Sequence, residues 1–124
     1  MAKIDPSNGR YRLGGPKNVD LENIDPDRYN VYTEETKLAE AAKQFPDYNW
    51  FVSYTINDKS ENTVQTLPDY TIKFDRPDAP DFKLYYYLNG NVHPLSYEET
   101  SDEGGKKRVT ATLGIGDPPL GSVP

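Results

Sequence analysis

The chain has 124 residues and a net charge of -6, and 35% of its residues are hydrophobic while 27% are charged. This length is typical of a single domain. The lack of cysteine and the presence of a single histidine exclude disulfides, thiolate catalysis, and zinc or iron–sulfur sites built from cysteine or several histidines. No apolar run approaches the roughly 18 residues of a membrane-spanning helix, and the first ten residues lack the pattern of a secretory signal. We therefore expect a chain that is made in the cytoplasm, holds no metal or cofactor, and inserts into no membrane.

Acidic side chains outnumber basic ones, 20 to 14. A nucleic acid would be repelled on average, because its affinity for proteins comes largely from neutralised phosphates. The main basic cluster, Lys106 to Arg108, follows an acidic stretch that begins at Glu98, and the two neutralise each other. We expect no nucleic-acid partner.

Residues 1–32 are expected to form an extended arm. They show neither helical nor strand periodicity, and residues that favour turns are frequent, as in Asp5-Pro6 and Gly14-Gly15-Pro16. Their large apolar side chains are too few to offset the conformational entropy lost when the segment is ordered alone. A short pattern occurs twice in this arm, and its apolar positions are predicted to dock on a partner: Ile4, Tyr11, Ile24 and Tyr29.

Residues 33–45 carry the pattern of a short helix. Thr33 is suited to cap its first turn, and Pro46 would end it. Between them, apolar residues recur at the spacing of one helical face: Leu38, Ala41, Ala42 and Phe45. A helix of about three turns is marginal by itself in water, so we expect this stripe to pack on an apolar surface.

Four segments alternate between apolar and polar residues with the period of a strand, at 50–56, 70–74, 82–88 and 109–115. In the first of them, the alternation puts Trp50 on the core face and Phe51 on the opposite face. Asn89-Gly90 favours a type I′ hairpin turn, because this turn needs a positive φ at both positions. The return strand is expected at 91–95, and Pro94 confines it to a sheet edge.

These elements predict an α+β fold, with a mostly antiparallel sheet of about five strands and one short helix across its apolar face. A small sandwich or a partly open barrel, in which the helix lies at the periphery, is the alternative. The globular domain is assigned to residues 33–115, between the arm and a tail at 116–124 that is rich in proline and glycine.

Side chains suited to catalysis or metal binding are few. His93 lies in a predicted edge strand with Ser96 and Asp81 as partners for a triad, but no nucleophile-elbow motif surrounds Ser96. Asp75, Asp78 and Asp81 are spaced by three residues, yet the prolines between them keep the segment extended, which disfavours a calcium site. We therefore expect no catalytic site and no metal site.

The tyrosines are the most informative side chains. Tyr85 and Tyr87 point away from the core face of their predicted strand, and Phe51 lies on the same outer face, which predicts an exposed aromatic patch for recognition. With the arm and the tail, this patch favours a non-enzymatic structural or interaction subunit of a larger, virion-like assembly, docked on other proteins or on further copies of this chain. The alternative is a carbohydrate-binding module that uses the tyrosine-lined face.

Overall fold

The computed structural model describes residues 2–123, which form two antiparallel β-sheets packed face to face and one helix. The elements in chain order are β1 (Lys3–Ile4), β2 (Arg10–Gly14), β3 (Val19–Glu22), β4 (Tyr29–Thr33), α1 (Thr36–Gln44), β5 (Asn49–Asp58), β6 (Thr66–Asp75), β7 (Lys83–Leu88), β8 (Asn91–Leu95), β9 (Tyr97–Ser101), β10 (Lys107–Ile115) and β11 (Pro119–Val123). Sheet 1 has the strand order β1-β4-β5-β11-β7-β8, and sheet 2 has the order β2-β3-β6-β10-β9. The predicted α+β class is confirmed, and it takes the form of a sandwich.

The core lies between the sheets and is built by the alternating strands. Phe51 of β5 packs on Phe74 of β6, with 4.9 Å between ring centroids. Tyr54 and Tyr70 face each other from the same two strands, and their hydroxyl oxygens are 2.6 Å apart. Tyr70 donates its own proton to the Ile115 carbonyl, 2.6 Å away, so Tyr54 donates to Tyr70. Burial raises the pKa of both hydroxyls well above the usual range, so the pair stays neutral at physiological pH.

A β-bulge in β5 changes which side chains enter this core. Leu120 of β11 pairs with Val52 of β5. The next residue, Gly121, pairs with Trp50, so Phe51 is the extra residue. Phe51 joins the core, whereas Trp50 turns to the outer face of sheet 1. The predicted placement of these two aromatic residues is therefore wrong, because strict alternation assumes a regular strand.

The segment predicted to be an extended arm forms β1 to β4, which add two strands to each sheet. Its four proposed docking residues are buried in the core or packed against it: Ile4, Tyr11, Ile24 and Tyr29. Tight turns make such short strands possible. Asn8 and Gly9, for example, have positive φ values of 53° and 75° and reverse the chain between β1 and β2. These apolar side chains stabilise the chain's own sandwich, which corrects the prediction of an extended arm that docks on a partner.

The predicted tail is also part of the sandwich. β11 pairs antiparallel with β5 on one side and with β7 on the other, which makes it a central strand of sheet 1. Pro119 is its first residue, a position where the missing N–H is tolerated, and Leu120 is fully buried. Met1 and Pro124, the outermost residues of the predicted arm and tail, lie outside the described residues.

The helix covers part of the outer face of sheet 1, as the sandwich alternative implies. It spans Thr36–Gln44, within the predicted 33–45, and packs against β5 and β11. Ala41 faces the sheet and is fully buried. Thr33 belongs to β4 and does not cap the helix, contrary to the prediction. No helix within residues 2–123 is long and apolar enough to cross a membrane.

Gly116, just before β11, marks a very close approach of two backbones, because a Cβ there would lie 1.6 Å from the Val64 carbonyl oxygen. Gly116→Ala should therefore force the backbones apart and lower the free energy of unfolding by at least about 2 kcal/mol in urea titrations. Gly104→Ala is the control, since its nearest neighbour would be 3.5 Å away, and it should cost less than about 0.5 kcal/mol. Equal losses in the two variants would contradict this packing.

Candidate functional site

The outer face of sheet 1 carries a group of contacting aromatic rings beside the C-terminal end of the helix. This aromatic cluster consists of Phe45, Tyr48, Trp50, Tyr85 and Tyr87. Tyr87 is 6% exposed, whereas the other four residues are half-buried. The cluster therefore presents aromatic surface to solvent on a face that the helix covers only in part.

The end of the helix fixes the first three rings. The Phe45 carbonyl accepts one hydrogen bond from the Tyr48 amide, at 3.3 Å, and another from the Trp50 indole Nε1, at 3.0 Å. Trp50 lies over Gly121 of the neighbouring strand, where a Cβ would be 2.5 Å from the indole ring. Glycine at this position leaves the space that the indole occupies.

Tyr48 connects the partly exposed rings of the cluster. Its ring centroid is 5.5 Å from that of Trp50, with 31° between the ring planes. Tyr85 meets Tyr48 edge-on, at 5.0 Å and 84°. Tilted and edge-on contacts are arrangements that aromatic quadrupoles favour, so the three rings hold one another in place.

A polar groove adjoins the cluster, between the helix and the β7–β8 hairpin, with a volume of about 420 Å³. The helix contributes Lys37, Glu40 and Gln44 to this helix–hairpin groove. The hairpin contributes Tyr87, Leu88, Asn89 and Gly90, and Gln65 and Asp117 form the base. The φ values of Asn89 and Gly90 are 51° and 80°, as the predicted type I′ turn requires. The turn therefore forms one end of the groove.

Tyr87 joins the groove to the cluster. Its ring packs on those of Phe45 and Trp50, at 6.0 Å and 6.3 Å between centroids. Its hydroxyl oxygen is 3.0 Å from Glu40 Oε1 and 3.2 Å from Gln44 Oε1. Desolvation and the Glu40 carboxylate raise the pKa of Tyr87, so the hydroxyl keeps its proton and donates it to the helix.

The base of the groove holds an ion pair between the helix and the segment that leads into β11. Lys37 donates to Asp117 Oδ2, and the Asp117 side chain is only 10% exposed, against 43% for Lys37. A buried carboxylate needs a hydrogen-bonded cation to compensate for its lost hydration. Lys37 therefore ties the helix to the C-terminal part of the chain.

The structure separates the three residues of the predicted aromatic patch. Tyr85 and Tyr87 share the outer face of sheet 1, as their alternation indicates. Tyr87 lies beneath the helix, however, and Phe51 is in the core. Tyr85 is the member of this set that keeps accessible surface on the outer face, and its role in binding stays a prediction.

His93 is placed for packing. It stacks on Tyr86 across the β7–β8 hairpin, with 5.1 Å between ring centroids and 25° between the ring planes. Ser96 and Asp81, its suggested partners, are exposed. The stacking fixes the imidazole against the neighbouring strand.

The three aspartates at 75, 78 and 81 do not converge. Asp75 lies at the end of β6 and forms ion pairs with Lys106 and Arg108, at 2.9 Å and 3.4 Å. Among residues 2–123, no three histidine or carboxylate side chains come together as a group that would hold a metal ion. The Asp75 carboxylate is thus paired with two basic side chains, one in β10 and one just before it.

Four side chains of the site lie outside the sequence-based predictions for binding: Glu40, Tyr48, Trp50 and Asp117. Glu40 is on the polar face of an amphipathic helix, where an acidic residue indicates only solvent exposure. Asp117 belongs to the predicted tail. Tyr48 and Trp50 could have been recognised from the sequence, because both aromatic residues follow closely after the predicted end of the helix at residue 45.

Comparisons of the chain with protein-family models, with curated proteins and with solved structures each found no match. The structural class of this protein is defined by its own fold and site. It is a two-sheet antiparallel sandwich with one helix on an outer face, an aromatic cluster at the end of that helix and a polar groove beside it.

Lys37→Met should leave the Asp117 carboxylate buried without a cation. We expect the free energy of unfolding to fall by about 1–2 kcal/mol, less than for a fully buried pair because Lys37 is partly solvated. Adding Asp117→Asn to the same chain should recover most of this loss, since the uncompensated charge is then gone. Urea titrations of the parent protein, Lys37→Met, Asp117→Asn and the double variant measure the coupling free energy between the two side chains. Strictly additive losses would show that the ion pair does not stabilise the groove.

Proposed function

We propose that this chain is a non-enzymatic carbohydrate-binding module. The observation that supports this function best is the contact of Tyr87, a lining residue of the helix–hairpin groove, with the half-buried rings of Phe45 and Trp50. A sugar ring has an apolar face that packs on aromatic rings, and hydroxyl groups that need hydrogen-bond partners. The two surfaces that meet at Tyr87 offer both kinds of contact.

The groove supplies hydrogen-bonding groups of a suitable kind. The carboxylates of Glu40 and Asp117 accept hydrogen bonds from hydroxyl groups, and the side-chain amides of Gln44, Gln65 and Asn89 both donate and accept. The groove volume of about 420 Å³ lies within the range of roughly 300–1,000 Å³ for small-ligand sites. These features support the binding of a short saccharide.

The two carboxylates support binding better than hydrolysis. A glycosidase usually needs one carboxyl group as a proton donor and a second as nucleophile or base. Asp117 is tied to Lys37, and Glu40 accepts a hydrogen bond from Tyr87. Asp117 would have to give up its ion pair with Lys37 to transfer a proton, which leaves Glu40 without a second available carboxyl group, so we propose binding without cleavage.

A structural or adaptor subunit of a larger, virion-like assembly is the second candidate, and the partly exposed rings favour it. Trp and Tyr are enriched at the energetic centres of protein interfaces, and Tyr48, Trp50 and Tyr85 offer such side chains on one face. Docking would use this face and not the predicted arm and tail, because those segments form β1 and β11, which pair within sheet 1. A mass that rises with concentration in light scattering of the pure chain would favour this candidate, with a second copy as the partner.

Tyr85→Ala tests the carbohydrate proposal, because Tyr85 is a half-buried ring of the cluster and lies outside the core. The parent protein should be retained by at least one glycan on a polysaccharide and glycan array. The variant should bind that glycan about tenfold more weakly, which corresponds to about 1.4 kcal/mol. Tyr86→Ala is the matched control, since Tyr86 is the next residue of the same strand, is also half-buried and faces the other side of sheet 1.

Thermal melts identify a variant that fails to fold. An array on which the parent protein is retained by no glycan would contradict the carbohydrate proposal, and so would equal losses of binding in folded Tyr85→Ala and Tyr86→Ala. The release of new reducing ends from a bound oligosaccharide would contradict its non-enzymatic part.

A further inference from the structure

The helix–hairpin groove carries an unbalanced negative charge. Three of its lining side chains are charged at neutral pH: Lys37, Glu40 and Asp117. Lys37 and Asp117 form the ion pair at the base. Within residues 2–123, Glu40 takes part in no ion pair. One carboxylate charge on the groove wall is therefore left without a cation.

Glu40 is held in place despite the lack of a cation. Tyr87 donates its hydroxyl proton to Glu40 Oε1, at 3.0 Å, and the Tyr87 ring is itself fixed against Phe45 and Trp50. The second oxygen, Oε2, accepts no hydrogen bond from the part of the chain that the structure describes. The groove thus contains an oriented carboxylate oxygen with free acceptor capacity, next to an aromatic surface.

We infer that the groove binds an amine-bearing saccharide, with the ligand's ammonium group against Glu40 and a sugar ring against the aromatic cluster. This inference rests on the proposed carbohydrate-binding function and names the class of sugar. An ammonium group supplies both the donor that Glu40 Oε2 lacks and the positive charge that the groove lacks. An acidic sugar is disfavoured, because its carboxylate would meet Glu40 on a chain of net charge -6.

A basic peptide offers the same ammonium chemistry. The amides of Gln44, Gln65 and Asn89 favour the sugar, because they can pair with the several hydroxyl groups of a sugar ring, which a lysine side chain does not have. The partly exposed rings of the cluster add a surface for the apolar face of the sugar. A lysine tripeptide is therefore the competing ligand in the test.

Calorimetric titrations of the full chain use four ligands. They are a glucosamine trimer whose amines are free, the same trimer with every amine acetylated, a galacturonate trimer and the lysine tripeptide. At a pH where the sugar amines are protonated, the glucosamine trimer should bind about tenfold more tightly than the acetylated trimer, and the acidic trimer should bind most weakly. Glu40→Gln should remove this preference. Glu35→Gln should keep it, because Glu35 is exposed as Glu40 is, carries the same charge and makes no helix-capping hydrogen bond, but lies outside the groove.

Equal binding of the acetylated and free trimers by the parent protein overturns the inference and leaves the carbohydrate-binding function in place. If folded Glu40→Gln still prefers the free-amine trimer, the inference is also overturned, because Glu40 is then not the partner of the ammonium group. Loss of that preference in folded Glu35→Gln overturns it as well, because the overall charge of the chain would then explain the preference. Tighter binding of the lysine tripeptide than of any trisaccharide overturns the sugar class. If no sugar in this set or on the array binds, the proposed function itself fails.

Discussion

The last strand of the chain joins the two parts of sheet 1. β11 hydrogen-bonds to β5 on one side and to β7 on the other. The β7–β8 hairpin has no other partner strand within the described residues, so its position relative to the helix depends on the short segment Pro119–Val123. The helix–hairpin groove, which lies between those two elements, exists because this strand is in place.

Residues in and beside β11 also serve the site. Gly121 leaves the space that the Trp50 ring of the aromatic cluster occupies. Asp117, two residues before the strand, holds Lys37 and with it the helix. Burying a carboxylate in a small domain opposes stability unless the charge is paired, and here its pairing sets the base of the groove. The shape of the groove therefore depends on the packing of the C-terminal segment.

The sequence was sufficient for the strands with three or more alternating apolar residues, for the Asn89-Gly90 hairpin and for the helix. It was not sufficient for the N-terminal strands, because a pair such as Val19 and Leu21 is too short to separate from a loop. Pro119 obscures the C-terminal strand, since proline rarely occurs in central strands beyond the first position, and the bulge at Phe51 breaks the alternation. The groove joins segments that are 47 and 80 residues apart, and only tertiary pairing brings them together.

Native-state hydrogen exchange measures the central role of β11 most directly. The backbone amides of residues 120–123 should exchange as slowly as those in the middle of β5 and β7, because the three neighbouring strands open only when the sandwich unfolds. Exchange of residues 120–123 at the rate of exposed loops, while β5 stays protected, would show that the C-terminal segment is a mobile tail. That result would contradict the proposed fold of sheet 1 and, with it, the groove.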